Sequence, residues 1–268
     1  MDGRICDGLD AVVDVACRRL AQGDVDAPPE AVPSGPGAAR AVMAAVRSRI
    51  GGPLAYGGAV RGLCVRWAMD DRVLALSGPA GDLQLSVRPE RYLDRTDRIP
   101  FDAASAPVDF EQLPYVWLIL PGRPMWPPPP RVPIATSWSA LETSLSAVLY
   151  SCMTQASHLL YSQTHFGFNI TGGPRAVAAA CDSQSLSVLV DDRGPSEPTP
   201  PEEMMRRGWD RPLVGWWEHT LLAPDQAAAA ATMLVGELRA GDATPSALRA
   251  DDVSSNGGTL LLPGLAVR

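Results

Sequence analysis

The stretch LCVRWAMDDRVLALSGPAGDLQLSV, residues 63–87, decides the fold class. Within it, LCVRW (63–67), RVLALS (72–77) and DLQLSV (82–87) alternate apolar and polar side chains, the two-residue period of a strand with one buried face. MDDR and GPAG between them are turn material. The spacing therefore predicts an antiparallel meander, with Leu63, Val65, Trp67 and Val73 among the inward side chains.

Upstream, GLDAVVDVACRRLA (8–21) places Leu9, Val12, Val13, Ala16 and Leu20 on one helical stripe. After the connector DAPPEAVPSGPG, a second helix spans 38–50 and is stopped by Gly51, Gly52 and Pro53. Downstream, PYVWLIL (114–120) is an apolar run of strand length and is expected as a central strand. The following PGRPMWPPPPRVP (121–133) reads as a polyproline crossover.

Ser139 with Glu142 fits a capping box, and the helix it opens is expected to run to about residue 163. Then come a strand HFGFNI (165–170), a short Ala-rich helix at 175–181, a strand SLSVLV (185–190), a polar loop DRGPSEPTPPEE and the segment WDRPLVGWWEH. A last helix is framed by Pro224 and Gly241, before a short strand in GGTLLLPGLAV. No internal repeat is visible. Helices, then strands, then helix and strands, is not strict βαβ alternation, so the expected class is α+β: a mainly antiparallel sheet with helices on one face and one long central helix. The chain reads as one domain, 1–268, divisible into lobes 1–122 and 134–268 joined by the proline-rich crossover 121–133.

Composition narrows function by exclusion. The 268 residues carry a formal charge of −7 with 46% hydrophobic side chains, enough to bury a sizeable core and opposite in sign to a nucleic-acid or anionic-membrane surface. The chain contains no lysine, so it offers no Schiff-base lysine, pyridoxal-phosphate anchor or Walker A lysine. Its richness in Ala, Gly, Pro and Arg is an actinobacterial-like composition. Five scattered cysteines without CxxC spacing suggest reduced thiols rather than a disulfide framework, and the acidic start MDGRICDGLD is unlike a signal peptide. A soluble, cytoplasmic protein is expected. GxSxG, GxGxxG and P-loop patterns are absent, and no cofactor is expected.

Two groups of residues invite a site. On the helix 139–163, Leu141, Leu145, Val148, Cys152, Ala156 and Leu159 share one face at 100° per residue, which is core packing. The opposite face carries Tyr150, Thr154, Ser157, His158 and Tyr161. No charged residue occurs from Thr143 to Pro174, so this face meets protein, trapped water or a ligand rather than bulk solvent. As a pocket wall it would offer His and Tyr for acid–base and orienting work; as a packed face its hydroxyls would bond to the helix's own carbonyls. His165 follows at strand spacing, and with His158 and Asp191 it lacks the HxxxH or HxH spacing of a metal site, so none is expected.

The second group is GWWEHTLL (215–222): Trp216, Trp217, Glu218 and His219, with the two tryptophans on opposite faces of a strand. An exposed tryptophan there suits a small-molecule pocket or a protein interface, and two buried anchors are the plain alternative. Taken together, these features suggest a non-catalytic accessory, adaptor or chaperone-like protein with a protein or peptide partner. The competing expectation is a cofactor-independent enzyme of specialised peptide or small-molecule metabolism using Tyr, Ser and His.

Overall fold

The computed structural model describes residues 3–35, 37–79, 81–102, 116–119, 134–156, 166–182, 185–193, 199–239, 243–254, 259–262 and 265–267. It is an α+β fold with two antiparallel sheets in place of the one expected.

The first part begins with helix α1 (Gly3–Gln22), a two-residue strand β1 (Glu30–Ala31) and helix α2 (Ala38–Ile50). Gly51, at φ 92°, takes a backbone conformation that side chains resist and so ends α2. Strands β2 (Ala55–Ala59), β3 (Gly62–Met69), β4 (Arg72–Gly78) and β5 (Gln84–Pro89) follow as the meander, then helix α3 (Glu90–Asp102) and strand β6 (Val116–Ile119). The β3–β4 turn pairs Met69 with Arg72 and puts Asp70 at φ 55°, which a short polar side chain tolerates. Alternation does what it predicts: Leu63, Val65 and Trp67 face the helices, together with Leu74, Leu76 and Leu85. They close on Leu9, Val13, Leu20, Val42 and Met43. Val73 is also buried, but it faces the other way, packing with Leu54, Ala55 and, from α3, Leu93.

The second part opens with helix α4 (Trp138–Ser151), continued by one wider π-helical turn, Cys152–Ala156. Strands β7 (Phe166–Thr171), β8 (Val177–Cys181) and β9 (Leu186–Asp191) form a meander. A short helix α5 (Pro201–Arg206) and a hairpin of β10 (Arg211–Leu213) and β11 (Trp216–Leu221) come next. Helix α6 (Ala227–Leu238) is entered through a 3-10 turn at Pro224, and β12 (Arg249–Ser254) and β13 (Thr259–Leu261) end the described chain. Of the predicted stripe, Leu141, Leu145, Val148 and Cys152 are buried against Phe168, Val188, Leu234 and their neighbours.

Sheet order exposes a repeat that the sequence conceals. The seven-stranded sheet runs β1-β5-β4-β3-β2-β6-β13 and the six-stranded one β10-β11-β9-β8-β7-β12. In each, a helix precedes four consecutive antiparallel neighbours, β2-β3-β4-β5 or β7-β8-β9-β11. A helix then leads to a fifth strand that returns to pair with the first, β6 with β2 and β12 with β7. The closing strands tie the two sheets together, since β12 belongs to one sheet while the next strand, β13, pairs with β6 of the other.

Several local expectations are corrected. Residues 177–181, expected as an Ala-rich helix, form the strand β8; sandwiched between β7 and β9, their small side chains are set by ladder pairing rather than by alanine's helix preference. Asp251 and Asp252, whose adjacency resembles turn material, lie within β12. Part of the polar loop after 191 is α5, started by Pro201. The N-cap of α4 is Ser137 rather than Ser139: its hydroxyl accepts from the Ala140 amide at 3.2 Å. The expected helix end near Gly241, the proline-rich crossover 121–133 and the residues 157–165 lie outside the described residues.

Candidate functional site

Of the polar face expected on the 139–163 helix, Tyr150 and Thr154 are described, while Ser157, His158, Tyr161 and His165 lie outside the described residues. Several hydroxyls are spent on the helix itself. Thr143 donates to the Ser139 carbonyl at 3.0 Å, Ser151 to that of Ala147 at 2.8 Å and Thr154 to that of Tyr150 at 2.8 Å. This is the back-bonding that Ser and Thr adopt inside helices.

Tyr150 is different. It is exposed and lines an open hollow of about 690 Å3 where α4 packs beside α6. Along α4 the wall is Ser139, Thr143, Ser146 and Tyr150, recurring every three or four residues; α6 supplies Ala228, Ala229 and Thr232. Val60, at the turn between β2 and β3, closes one side. Glu142 is the one charged residue among the described residues of the lining, and it accepts a hydrogen bond from the Thr232 hydroxyl across the two helices. The α6 wall carries no signal that sequence reading could use, because alanines at 228 and 229 look like ordinary helix filler until α4 is seen beside them.

The π turn that ends α4 passes close to the first sheet. A Cβ on Gly58 of β2 would come within 2.9 Å of the Gln155 Cβ, so only glycine admits this approach. Cys152 begins the turn, fully buried beside Cys181 of β8; the neighbouring thiol, then desolvation, push its ionisation well above the ordinary range. Such a thiol stays protonated and is a poor nucleophile.

The Trp–Trp–Glu–His run disperses. Trp217 is buried and its indole donates to Asp192 at 3.3 Å, while Trp216 is half-buried beneath the Arg193 guanidinium, 5.1 Å from ring centre. Glu218 is buried on the sheet face opposite Trp217. His219 meets Asp210, Nδ1 to Oδ2 at 2.6 Å, a contact that fixes the ring. Beyond these, the hairpin tip leaves Leu213 and Val214 in solvent.

A buried ionic cluster at the end of the second sheet is missed by sequence reading altogether. Arg175 lies 3.3 Å from Glu237 and 3.0 Å from Asp192, the latter close in distance without hydrogen-bond alignment. The Trp209 indole donates to Glu237 at 3.1 Å, Arg207 approaches the same carboxylate at 3.4 Å, and Thr199 bonds to Arg175. Each cation faces a carboxylate, so the cluster pins the 199–209 segment to α6 and leaves no charge for a substrate.

Among the described residues no group of three His, Cys, Asp or Glu side chains could hold a metal ion, and no helix is long and apolar enough to cross a membrane. Comparison of the chain with family models and with curated proteins finds no match.

Proposed function

We propose that the chain is a non-catalytic accessory protein, adaptor or chaperone-like, that binds a protein or peptide partner along the outer side of α4 and α6. The observation that carries this reading is the composition of that face. The exposed positions of α6 are Ala228, Ala229, Thr232 and Gly236, and those of α4 are Ser139, Thr143 and Tyr150. A helix pair that faces water for its whole life normally carries charge there. These two carry none at a fully exposed position, and together they form a hollow rather than a smooth surface. Among its described residues the hollow has no acid–base pair: their one carboxylate is already bonded to Thr232. Cys17, Cys64, Cys152 and Cys181 are not joined in disulfides, which suits action in the cytoplasm.

A display selection of peptides on the immobilised full chain tests this. Selected peptides should slow amide exchange in 139–150 and 227–232. Ser146→Arg, which fills the hollow from an outer position, should weaken them by more than about 30-fold while leaving the melting temperature unchanged. Peptides that protect other segments, or bind the variant equally, would sink the proposal.

The enzyme reading is favoured by a single observation, the Asp210–His219 contact at 2.6 Å, which orients the imidazole as a general base would be oriented. Among the described residues His219 has no hydroxyl or thiol hydrogen-bonded to it. Its test is a loss of turnover in His219→Ala with the fold intact.

A further inference from the structure

We infer that the occupant of the α4–α6 hollow is an amphipathic helix of a partner protein, about three turns long, with a Lys or Arg placed against Glu142. The inference rests on the binding reading above and adds the partner's conformation and charge.

Length and shape come first. From Ser139 to Tyr150 the α4 wall spans eleven residues, about 16 Å at 1.5 Å per residue. Small side chains at Ala147, Ala228 and Ala229 keep the floor low, so a third helix can lie along the pair at ordinary interaxial distance. One ridge of side chains, at i, i+3 or i+4, i+7 and i+11, then enters the hollow. Its volume of about 690 Å3 suits a few aliphatic side chains better than a whole folded loop.

Backbone chemistry favours a helix over an extended peptide. A strand needs a sheet edge to satisfy its N–H and C=O groups, and the hollow is bordered by two helices and the Val60 turn, with no strand edge among the described residues of its lining. The Thr143 hydroxyl is already committed to the Ser139 carbonyl and the Thr232 hydroxyl to Glu142. A helix brings its backbone bonds with it and needs only side-chain contact. The outer sheet edges argue the same way: β1 is two residues long, and β10 is three residues with Pro212 at its centre, so strand addition is blunted there.

Charge supplies the remaining specification. Glu142 is the single formal charge among the ten described lining residues, half-buried at the junction of the two helices. An approaching helix desolvates it further, which an apolar or acidic residue would leave uncompensated and a Lys or Arg would neutralise. Tyr150 at the far end offers an aromatic face and a hydroxyl to the same ridge.

The absence of lysine makes a clean test available. Two libraries are selected on the full chain: side-chain-stapled helical 14-mers with a randomised ridge, and 14-mers carrying a central proline that cannot be helical. Helical binders bearing Lys or Arg at one ridge position should emerge, protect 139–150 and 227–232 from exchange, and lose more than about 30-fold with Ser146→Arg. With a Lys binder, a water-soluble carbodiimide should join Glu142 to the peptide amine through an amide bond, located by mass spectrometry and lost in Glu142→Gln. That same variant should weaken binding about threefold to fivefold, as a partly screened ion pair does. If proline-containing peptides protect the hollow equally well, or helical binders show no basic preference, this inference falls and the binding reading stands. If neither library yields a peptide that protects the hollow, both fall.

Discussion

The two halves of the molecule share a connectivity and distribute charge in opposite ways. In the first half the core between the helices and the sheet is apolar and the helices carry their charge outside: Asp10, Asp14, Arg40, Arg47 and Arg49 are exposed on α1 and α2, while the buried Arg66 of β3 lies on the other sheet face with Ala55 and Ala75. Arg49 reaches across to Asp14 at 2.5 Å and Asp10 at 3.0 Å. In the second half the fully exposed positions of α4 and α6 are uncharged, while Arg175, Asp192 and Glu237 are drawn inside. Connectivity determines which faces are buried in both halves. The residues on the remaining face differ between the halves: the α1–α2 pair carries charge there, and among the described residues the fully exposed positions of α4 and α6 carry none.

The sharpest way to break this comparison is to remove one charge from each half. Glu237 is the acceptor for Trp209 and the counter-ion of Arg175 and Arg207. Glu237→Ala leaves Arg175 buried with one anion instead of two, and should cost about 3–5 kcal/mol in urea unfolding. A loss under about 1 kcal/mol would show that the inner cluster is as dispensable as a surface pair. A smaller effect is expected where the halves touch. Gly58→Ala places a methyl 2.9 Å from the Gln155 Cβ, an atom near the backbone that cannot swing away. The π turn must shift, at about 1–3 kcal/mol, and exchange should quicken at 152–156. Unchanged stability and exchange would show that the turn has slack.

Those two sites also mark what could be read from the sequence. The meander at 63–87 was legible because alternation and turn residues are local signals, although Val73, expected inward with Leu63, Val65 and Trp67, packs on the opposite face. Strand β8 was not, because VAAAC has no alternation and its strand character comes from β7 and β9 on either side. The repeated connectivity escaped for the same reason: it lies in which strands pair, β6 with β2 and β12 with β7, not in any recurring residue. For the site, the uncharged helix face carrying Tyr150 was visible at 100° per residue. Its opposite wall at Ala228, Ala229 and Thr232 is contributed from about eighty residues away by packing alone. Arg175 and Glu237 are 62 residues apart, a separation at which no spacing rule links a cation to its anion.

The hairpin tip sharpens the comparison through pH. Arg193 holds the Asp191 carboxylate below the ordinary carboxylate range, mainly by its side-chain hydrogen bonds, and lies over Trp216. Because the folded-state value is lowered, the ion pair contributes fully above the unfolded value of about 4 and is lost as pH falls through the folded value. Acid should therefore free Arg193 and move the Trp216 indole NMR signal at a pH below that of a free aspartate. An indole signal that moves at the ordinary aspartate pH would show that the stack is not held by this pair.

The smallest effect belongs to the outer charges of the first half. Arg49 is exposed, and its two acidic partners are more exposed still, so water and salt compete for all three. Its guanidinium is held more basic by Asp14 and Asp10, which raises the folded-state value far above any working pH and gives no titration to follow. Arg49→Ala should thus cost less than about 1 kcal/mol, and less again in 0.5 M salt. Measured beside Glu237→Ala in the same chain, the ratio of the two losses reports how differently one connectivity uses charge. If Arg49→Ala destabilised as strongly as Glu237→Ala, the α1–α2 pair would depend on its surface network as the second half depends on its buried one. Neutral outer helices would then no longer set the second half apart, and the case for a partner on α4 and α6 would rest on the hollow alone.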